Sequence, residues 1–336
     1  MVNFALNSFN FVQNLCLKMK SSYFCLILLA IIISASCTKD CFIAVSGYAQ
    51  GGTYTVKFNR KGVRVPDYRI KTEIDSILNA VDFSLSGYNK ASLLSRYNAG
   101  ETIEPDIHFR TVTELSSKYK EITGGAFDVW SAPLFDLWGF GFKSGEFPDE
   151  DSVQRALSAS KEGRTLNFNA IAQGYTCDAI ASYLHSIGVK DMLVDIGEIY
   201  CEGHNPSGKP WSIGIDNPVD GNNDPGADMR GVWQSGGRAC GIVTSGNYRK
   251  FYIRDGKKYA HTIDPRTGHP VQHNLLSATI VAPTASEADA YATACMVWGL
   301  EEASAFILSH KETEGLLICS DSIWTSPGFY FIPEVN

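Results

Sequence analysis

Between residues 192 and 282 the chain breaks into short β-rich runs, at 192–200, 211–215, 240–243, 248–254, 258–263 and 277–282. Runs of this length bounded by turn residues read as strands, and Asp255-Gly256 between two of them is a hairpin signal. The stretch 220–228, rich in Gly, Asn and Asp, reads as an exposed loop. Ahead of this block the period changes. An alternating strand at 53–58 is followed by Pro66-Asp67, which open a stretch where Ile70, Ile74, Ile77, Leu78 and Val81 recur at helical spacing. A second helix is expected from about Thr111, through Leu115, Tyr119 and Ile122, to a glycine stop at Gly124-Gly125. A third is expected from about Ala170 to His185, ending near Gly188. After the last strand, Thr284-Ala285-Ser286-Glu287 is a capping box that starts a helix running to about Gly299. Helices gathered before a block of strands select an α+β fold, a single large domain with helices packed on a mainly antiparallel sheet.

The N-terminal segment has a different character. Lys18-Met19-Lys20 precede an uncharged apolar run, 23–33, and then Ser34-Ala35-Ser36-Cys37. A basic region, a short apolar run and small residues before a cysteine read as a lipoprotein export signal, too short for a span of ~20 apolar residues; the alternative is an uncleaved N-terminal anchor, and both place the domain outside the cytoplasm. Such a signal starts at its own basic cluster, which points to Met19 as the start. We therefore expect a signal over 1–36, a lipid on Cys37 with a tether over 37–46, and a catalytic domain over 47–336. The domain is then exported and anchored to the bacterial membrane, facing the periplasm. A net charge of −7 argues against a nucleic-acid partner, which needs a basic footprint. Outside the signal and Cys37, six cysteines remain: Cys41, Cys177, Cys201, Cys240, Cys295 and Cys319. They show no C-x-x-C and no zinc spacing; most read as buried small apolar residues, and the pattern leaves room for one disulfide.

Chemistry concentrates in four segments. His261-Thr262-Ile263-Asp264-Pro265-Arg266-Thr267-Gly268 packs a base, a carboxylate and an arginine around a turn fixed by proline and glycine. Asp289 and Thr293 lie four apart on the capped helix, hence on one face, and two hard oxygen donors suit Mg²⁺. Gly124-Gly125-Ala126-Phe127-Asp128 and the turn Leu137-Trp138-Gly139-Phe140-Gly141 offer a carboxylate and aromatic surfaces on which a flat ligand stacks. Residues 167–178 carry small residues into a helix start, where free N–H groups favour phosphate. That segment matches neither the dinucleotide fingerprint nor the Walker loop.

Taken in order with Ser84-Leu85-Ser86-Gly87-Tyr88, Ser92-Leu93-Leu94-Ser95-Arg96-Tyr97-Asn98 and Thr244-Ser245-Gly246-Asn247-Tyr248-Arg249, these segments resemble the FAD:protein FMN transferases of the ApbE family. The resemblance runs from about Gly47 to the end. It implies an ApbE-like (T-fold-like) α+β domain and a Mg²⁺-dependent enzyme that takes FAD, releases AMP and joins FMN to a threonine of a flavoprotein subunit. The implied acceptors belong to quinone reductase or electron-transport complexes. For the flavin nucleotide it implies Tyr88, Ala126, Phe127, Asp128, Gln173, Asp178, Ser245, Arg249 and Arg266. For the metal it implies Asp289, Thr293 and the carbonyl of Ala170, with His261 and Asp264 near the pyrophosphate. A histidine, with an ordinary pKa of about 6.5, can accept the threonine proton near neutral pH, and Asp264 is expected to orient it.

Three departures from the family pattern stand out: Gln173 where many members have lysine, Gly197-Glu198 where a Gly-Gly-Glu is common, and Gln50-Gly51-Gly52 in place of Met-Gly-Thr. Two other readings use the same residues. With water as acceptor, the site is an FAD pyrophosphatase giving FMN and AMP; without turnover, the chain is an FAD-binding lipoprotein. The acceptor motif itself is absent, since Ala292-Thr293 lies within the capped helix, so the chain reads as the modifying enzyme.

Overall fold

The computed structural model describes residues 41–142, 147–222, 226–248, 251–254 and 256–334. The export signal, Cys37, Arg249, Asp255 and part of the expected 220–228 loop lie outside them. In chain order the elements are β1 (Phe42–Ala49), β2 (Gly52–Asn59), α1 (Asp67–Leu85), α2 (Leu93–Asn98), α3 (Ile107–Ile122), a 3-10 turn (Val129–Ser131), α4 (Ala132–Leu137), α5 (Glu150–Glu162) and α6 (Ala172–Ser186). There follow β3 (Met192–Asp195), β4 (Ile199–Glu202), β5 (Ser212–Asp216), β6 (Met229–Gln234), β7 (Cys240–Gly246), β8 (Phe251–Arg254), β9 (Lys257–Ala260) and β10 (Leu275–Ala282). The chain closes with α7 (Ala285–Trp298), α8 (Leu300–Ser309), β11 (Glu314–Cys319), β12 (Ile323–Thr325) and β13 (Phe331–Pro333). This is the α+β arrangement expected. No helix among the described residues is long and apolar enough to cross a membrane.

The main sheet has the order β1-β2-β3-β4-β7-β10-β11-β12, antiparallel at every pairing from β2 to β12. A three-stranded sheet, β13-β6-β5, and the β8-β9 hairpin complete the strands. The run 192–200 is two strands, because Gly197 at φ 107° reverses the chain between them. The tether expected up to residue 46 is strand from Phe42 onward; only Val45 of β1 is buried, so its sequence carries no core-facing alternation.

α7 is the hub. Unlike an amphipathic helix it is buried around almost its whole circumference. It packs against β7 and β10 on one side and against α6 and α3 on the other. Its N-terminus is fixed from both sides by close approach. A Cβ at Gly174 of α6 would stand 2.4 Å from the carbonyl oxygen of Ala285, and one at Gly241 of β7 would stand 2.2 Å from Ala285 Cα. Only glycine lets a helix and a strand come this near to the first turn of α7. The expected cap is present, with Thr284 Oγ1 accepting from Glu287 N at 3.2 Å.

Candidate active site

Above the hub lies a cavity of about 350 Å³. Tyr88, Ala126, Phe127, Asp128, Ala170, Ser245, His261, Asp289 and Thr293 all line it, so residues from Tyr88 to Thr293 in the chain are gathered at one place. The folding of each segment explains its position. Asp289 and Thr293 project from one face of α7, one turn apart. The 167–171 loop brings Asn167, Asn169 and Ala170 beside them. The end of β7 supplies Thr244, Ser245 and Gly246, and the β3–β4 turn supplies Glu198.

Asp289 is 4% exposed and accepts one hydrogen bond among the described residues, from Gly174 N at 3.2 Å. Burial raises its carboxyl from 3.8 to about 7; the Gly174 N–H opposes that rise and the nearby Asp178 adds to it. A buried carboxylate with a single N–H partner, facing a cavity beside a hydroxyl and a backbone carbonyl, is an all-oxygen donor set of the kind a hard divalent cation takes. No cluster of three or more His, Cys, Asp or Glu exists among the described residues, so a cation held here would draw on hydroxyl and carbonyl oxygens as well as carboxylate.

The histidine segment is a short hairpin. Ile263 bridges to Pro270, Asp264 N donates to His269 O at 2.9 Å and Gly268 N donates to Asp264 O at 2.8 Å. Ile263 anchors it in a small core with Leu134, Trp138 and Val153, and Trp138 Nε1 donates to Gly268 O at 2.8 Å. Thr262 turns its hydroxyl to Asn247 Oδ1. Between Ala260, the last residue of β9, and the bonded Thr262, His261 lines the cavity with its ring edge-on to Phe140 at 6.4 Å between centroids. Phe140 continues a stack through Tyr252 (5.3 Å) and Tyr259 (5.4 Å) to Trp138 (6.1 Å), tying the β8-β9 hairpin to the aromatic turn.

At the cavity rim, Tyr88 is 66% exposed, edge-on to Phe142 and 3.5 Å from Asn169 Nδ2. Asp128 lines the cavity but is neutralised by Lys120 Nζ at 2.8 Å and caps the 3-10 turn through Trp130 N.

Four expected site residues stand elsewhere. The Asp264 carboxylate accepts from Arg266 three times, from the backbone N at 2.9 Å and from Nε and Nη2 at 3.0 Å; none of its hydrogen bonds goes to His261. A guanidinium two residues away in the same turn is simply closer than the imidazole. Arg266 is thereby committed to Asp264, with Glu302 at 3.6 Å, and does not line the cavity. Asp178 accepts from Ala285 N at 2.8 Å and Ser286 N at 2.9 Å, capping α7 from α6; removal from solvent raises its carboxyl, and those donors lower it. Gln173 donates from Nε2 to Ile196 O at 3.0 Å and so fastens the turn that presents Glu198.

The helix start at α6 also differs from expectation. Ala172 N bonds Phe168 O at 2.9 Å and Gly174 N bonds Asp289, so its N–H groups largely serve the protein itself. Glu198, Asn167, Asn169, Thr244 and Met296 line the cavity without having been singled out. Position within the recurring segments was the available signal for Asn167, Asn169 and Thr244, and the shortened Gly-Glu pair for Glu198. Met296 carried none.

The chain is similar to known proteins over most of its length. A model of the ApbE family matches residues 50–317. The protein named FAD:protein FMN transferase from Vibrio cholerae serotype O1 is 34% identical over 305 residues, covering 83% of this chain and 88% of its own. Its namesake from Haemophilus influenzae is 32% identical over 316 residues, covering 86% and 90%. Among solved structures, the flavin transferase ApbE from Vibrio cholerae matches with a TM-score of 0.73 at 29% identity, over 86% of this chain and 98% of that one. The apo form of the Pseudomonas stutzeri flavinyl transferase ApbE matches with a TM-score of 0.73 at 29% identity, over 85% and 94%.

Proposed function

Because this chain belongs to the ApbE family, we propose that its cavity is where FMN passes from FAD to a threonine hydroxyl of a flavoprotein subunit. The chain is an FAD:protein FMN transferase. The observation that carries the site assignment is the convergence of Asp289, Thr293, Ala170 and His261 with Tyr88 and 126–128 on one cavity.

In this reading the threonine oxygen attacks the phosphorus of the FMN half of FAD. A P–O bond forms to threonine as the P–O bond to the AMP half breaks, and AMP leaves with that bond's electron pair. Attack by a neutral alcohol needs its proton removed, and His261, held at the cavity wall by its fixed neighbours, takes it. Asp264 acts at a distance, locking the turn through Arg266 so that His261 keeps its place. The carboxylate of Asp289, the hydroxyl of Thr293 and the carbonyl of Ala170 would hold Mg²⁺, which supplies positive charge against the pyrophosphate oxygens. Tyr88 and Phe140 offer aromatic surfaces to the isoalloxazine ring, while Ser245 and Thr244 offer hydroxyl groups to its polar edge.

The enzyme is proposed to act outside the cytoplasm, lipid-anchored through Cys37, on subunits of quinone reductase or electron-transport complexes. The basic, apolar and small-residue pattern before Cys37 supports the anchor.

The test is incubation of the protein with FAD, Mg²⁺ and a threonine-bearing flavoprotein fragment, read by intact mass and nucleotide analysis. The expected result is one FMN added to the fragment with AMP released, abolished by Asp289→Ala and slowed about 10²- to 10⁴-fold by His261→Ala. Free FMN and AMP beside an unmodified fragment would make water the acceptor, and near-full transfer by His261→Ala would remove the histidine from its role.

A further inference from the structure

Two buried thiols lie outside the site and have no part in the transfer. The register of β4 and β7 sets Cys201 directly opposite Cys240. Their sulfurs are 3.9 Å apart, and the residues are 0% and 2% exposed. Directly opposed residues of an antiparallel pair share one face of the sheet. Their Cα atoms stand about 4.5–5.5 Å apart, within the span of about 4.4–6.8 Å that a disulfide bridges. Closing to the bond length of about 2.05 Å therefore requires side-chain rotation and no shift of strand register.

The pair is also chemically asymmetric. The hydrogen bond from Cys201, then the charge of Arg238, hold the Cys240 thiol below its ordinary value despite burial, while Cys201 is pushed up. Cys240 is accordingly the thiol that attacks first. It follows directly on an exposed stretch, Arg238 and Ala239, and the neighbouring Gly203 N to Gly237 O bond of 3.1 Å lies at that end of the strand pair. Opening of this end is the route by which a reagent reaches the sulfurs.

We propose that Cys201 and Cys240 are a modification site that a disulfide oxidant converts to a cross-strand disulfide joining β4 to β7. The Cys240 thiolate attacks the oxidant, displacing one thiolate and forming a mixed disulfide. Cys201 then loses its proton and attacks the Cys240 sulfur, displacing the second thiol. Two cysteine thiols are oxidised, one oxidant disulfide is reduced to two thiols, and two electrons and two protons pass between them. The bridge closes a loop across 39 positions that includes β5 and β6. Its main effect is to restrict the unfolded chain, so the oxidised protein melts higher while the cavity, on other parts of these strands, is unchanged.

The test uses the full chain, exposed to oxidised glutathione both as the native protein and during refolding. Free thiols are then alkylated, the protein is denatured and digested, and linked peptides are mapped by mass. A link between the Cys201 and Cys240 peptides is expected, with a melting temperature higher by roughly 5 °C that dithiothreitol reverses. Cys201→Ser should abolish that difference while melting like the reduced wild type to within a few degrees. Complete alkylation of both cysteines after both exposures, or linkage of either one to another cysteine, would overturn the proposal; the mapping does not depend on any variant folding.

Discussion

Asp289 is the residue on which the site's chemistry and its stability meet. Burial lifts its carboxyl to about 7, so the native state keeps the proton at pH values where the unfolded chain, near 3.8, has released it. Between about pH 4 and pH 7 the native state thus binds more protons than the unfolded state, and the Asp289 contribution to stability falls as pH rises. A cation held by Asp289, as proposed, would bind the ionised form and reverse that loss. Mg²⁺ should therefore raise the melting temperature of the wild type more at pH 7.5 than at pH 5, and should leave Asp289→Asn unmoved at both. An equal rise in the variant, measured by thermal denaturation, would take Asp289 out of the metal site. At this scale the sequence located segments better than partners. Asp289 and Thr293 were legible because four-residue spacing on a capped helix fixes their common face. Asp178 lies in a correctly identified segment, yet its partners, Ala285 and Ser286, sit 107 and 108 positions away, and nothing local encodes that they would claim its carboxylate.

Elements were legible where one face is apolar and the ends are capped. α1 follows that rule from its start at Pro66, whereas α7, buried almost all round, was legible from its Thr284 capping box alone. α3 begins at Ile107, four residues ahead of its expected start, because Asp106 caps it through Phe109 N. The apolar stripe of α5 is short, Val153, Ala156 and Leu157 with Ser160 below them, and it is interrupted by charged and polar residues, so it gives a weak helical signal. β11 is buried along nearly its whole length, and a short apolar run of that kind has no period that separates strand from helix. The contact that most constrains the site lies between elements: β7 against the first turn of α7 at Gly241. In Gly241→Ala the new Cβ would fall 2.2 Å from Ala285 Cα and 2.4 Å from Ala285 N, so α7 or β7 must shift. We expect a loss of about 1–3 kcal/mol in urea denaturation. FMN transfer should fall with it, because α7 carries Asp289 and Thr293 away from Ala170. Gly52→Ala, where a Cβ meets nothing within 4 Å, serves as the control and should stay within about 0.5 kcal/mol. A stable, fully active Gly241→Ala protein would show that the close approach is not what positions the helix.

Across the molecule, the cavity draws its walls from Tyr88 to Val297, through α4, α7, the 3-10 turn, the main sheet and the loops between them. No contiguous fragment holds it, so flavin binding should be a property of the whole folded unit rather than of any one motif. The aromatic column has a core of its own, where the β8-β9 hairpin leans on Trp138 and Phe140 while Ile263, Leu134 and Val153 pack beneath. This small cluster is set apart from the large core around α7, which makes it the natural first point of local opening. The two possibilities separate in a denaturant titration with FAD present. If the site and the core unfold together, loss of FAD anisotropy and loss of far-ultraviolet circular dichroism follow one curve. We expect coincidence, because Asp289 and Thr293 sit on α7 and Ala170 packs against the large core around it, whose loss is global unfolding. Release of FAD at clearly lower denaturant would mean instead that the histidine hairpin and its aromatic stack hold the flavin and open ahead of the core.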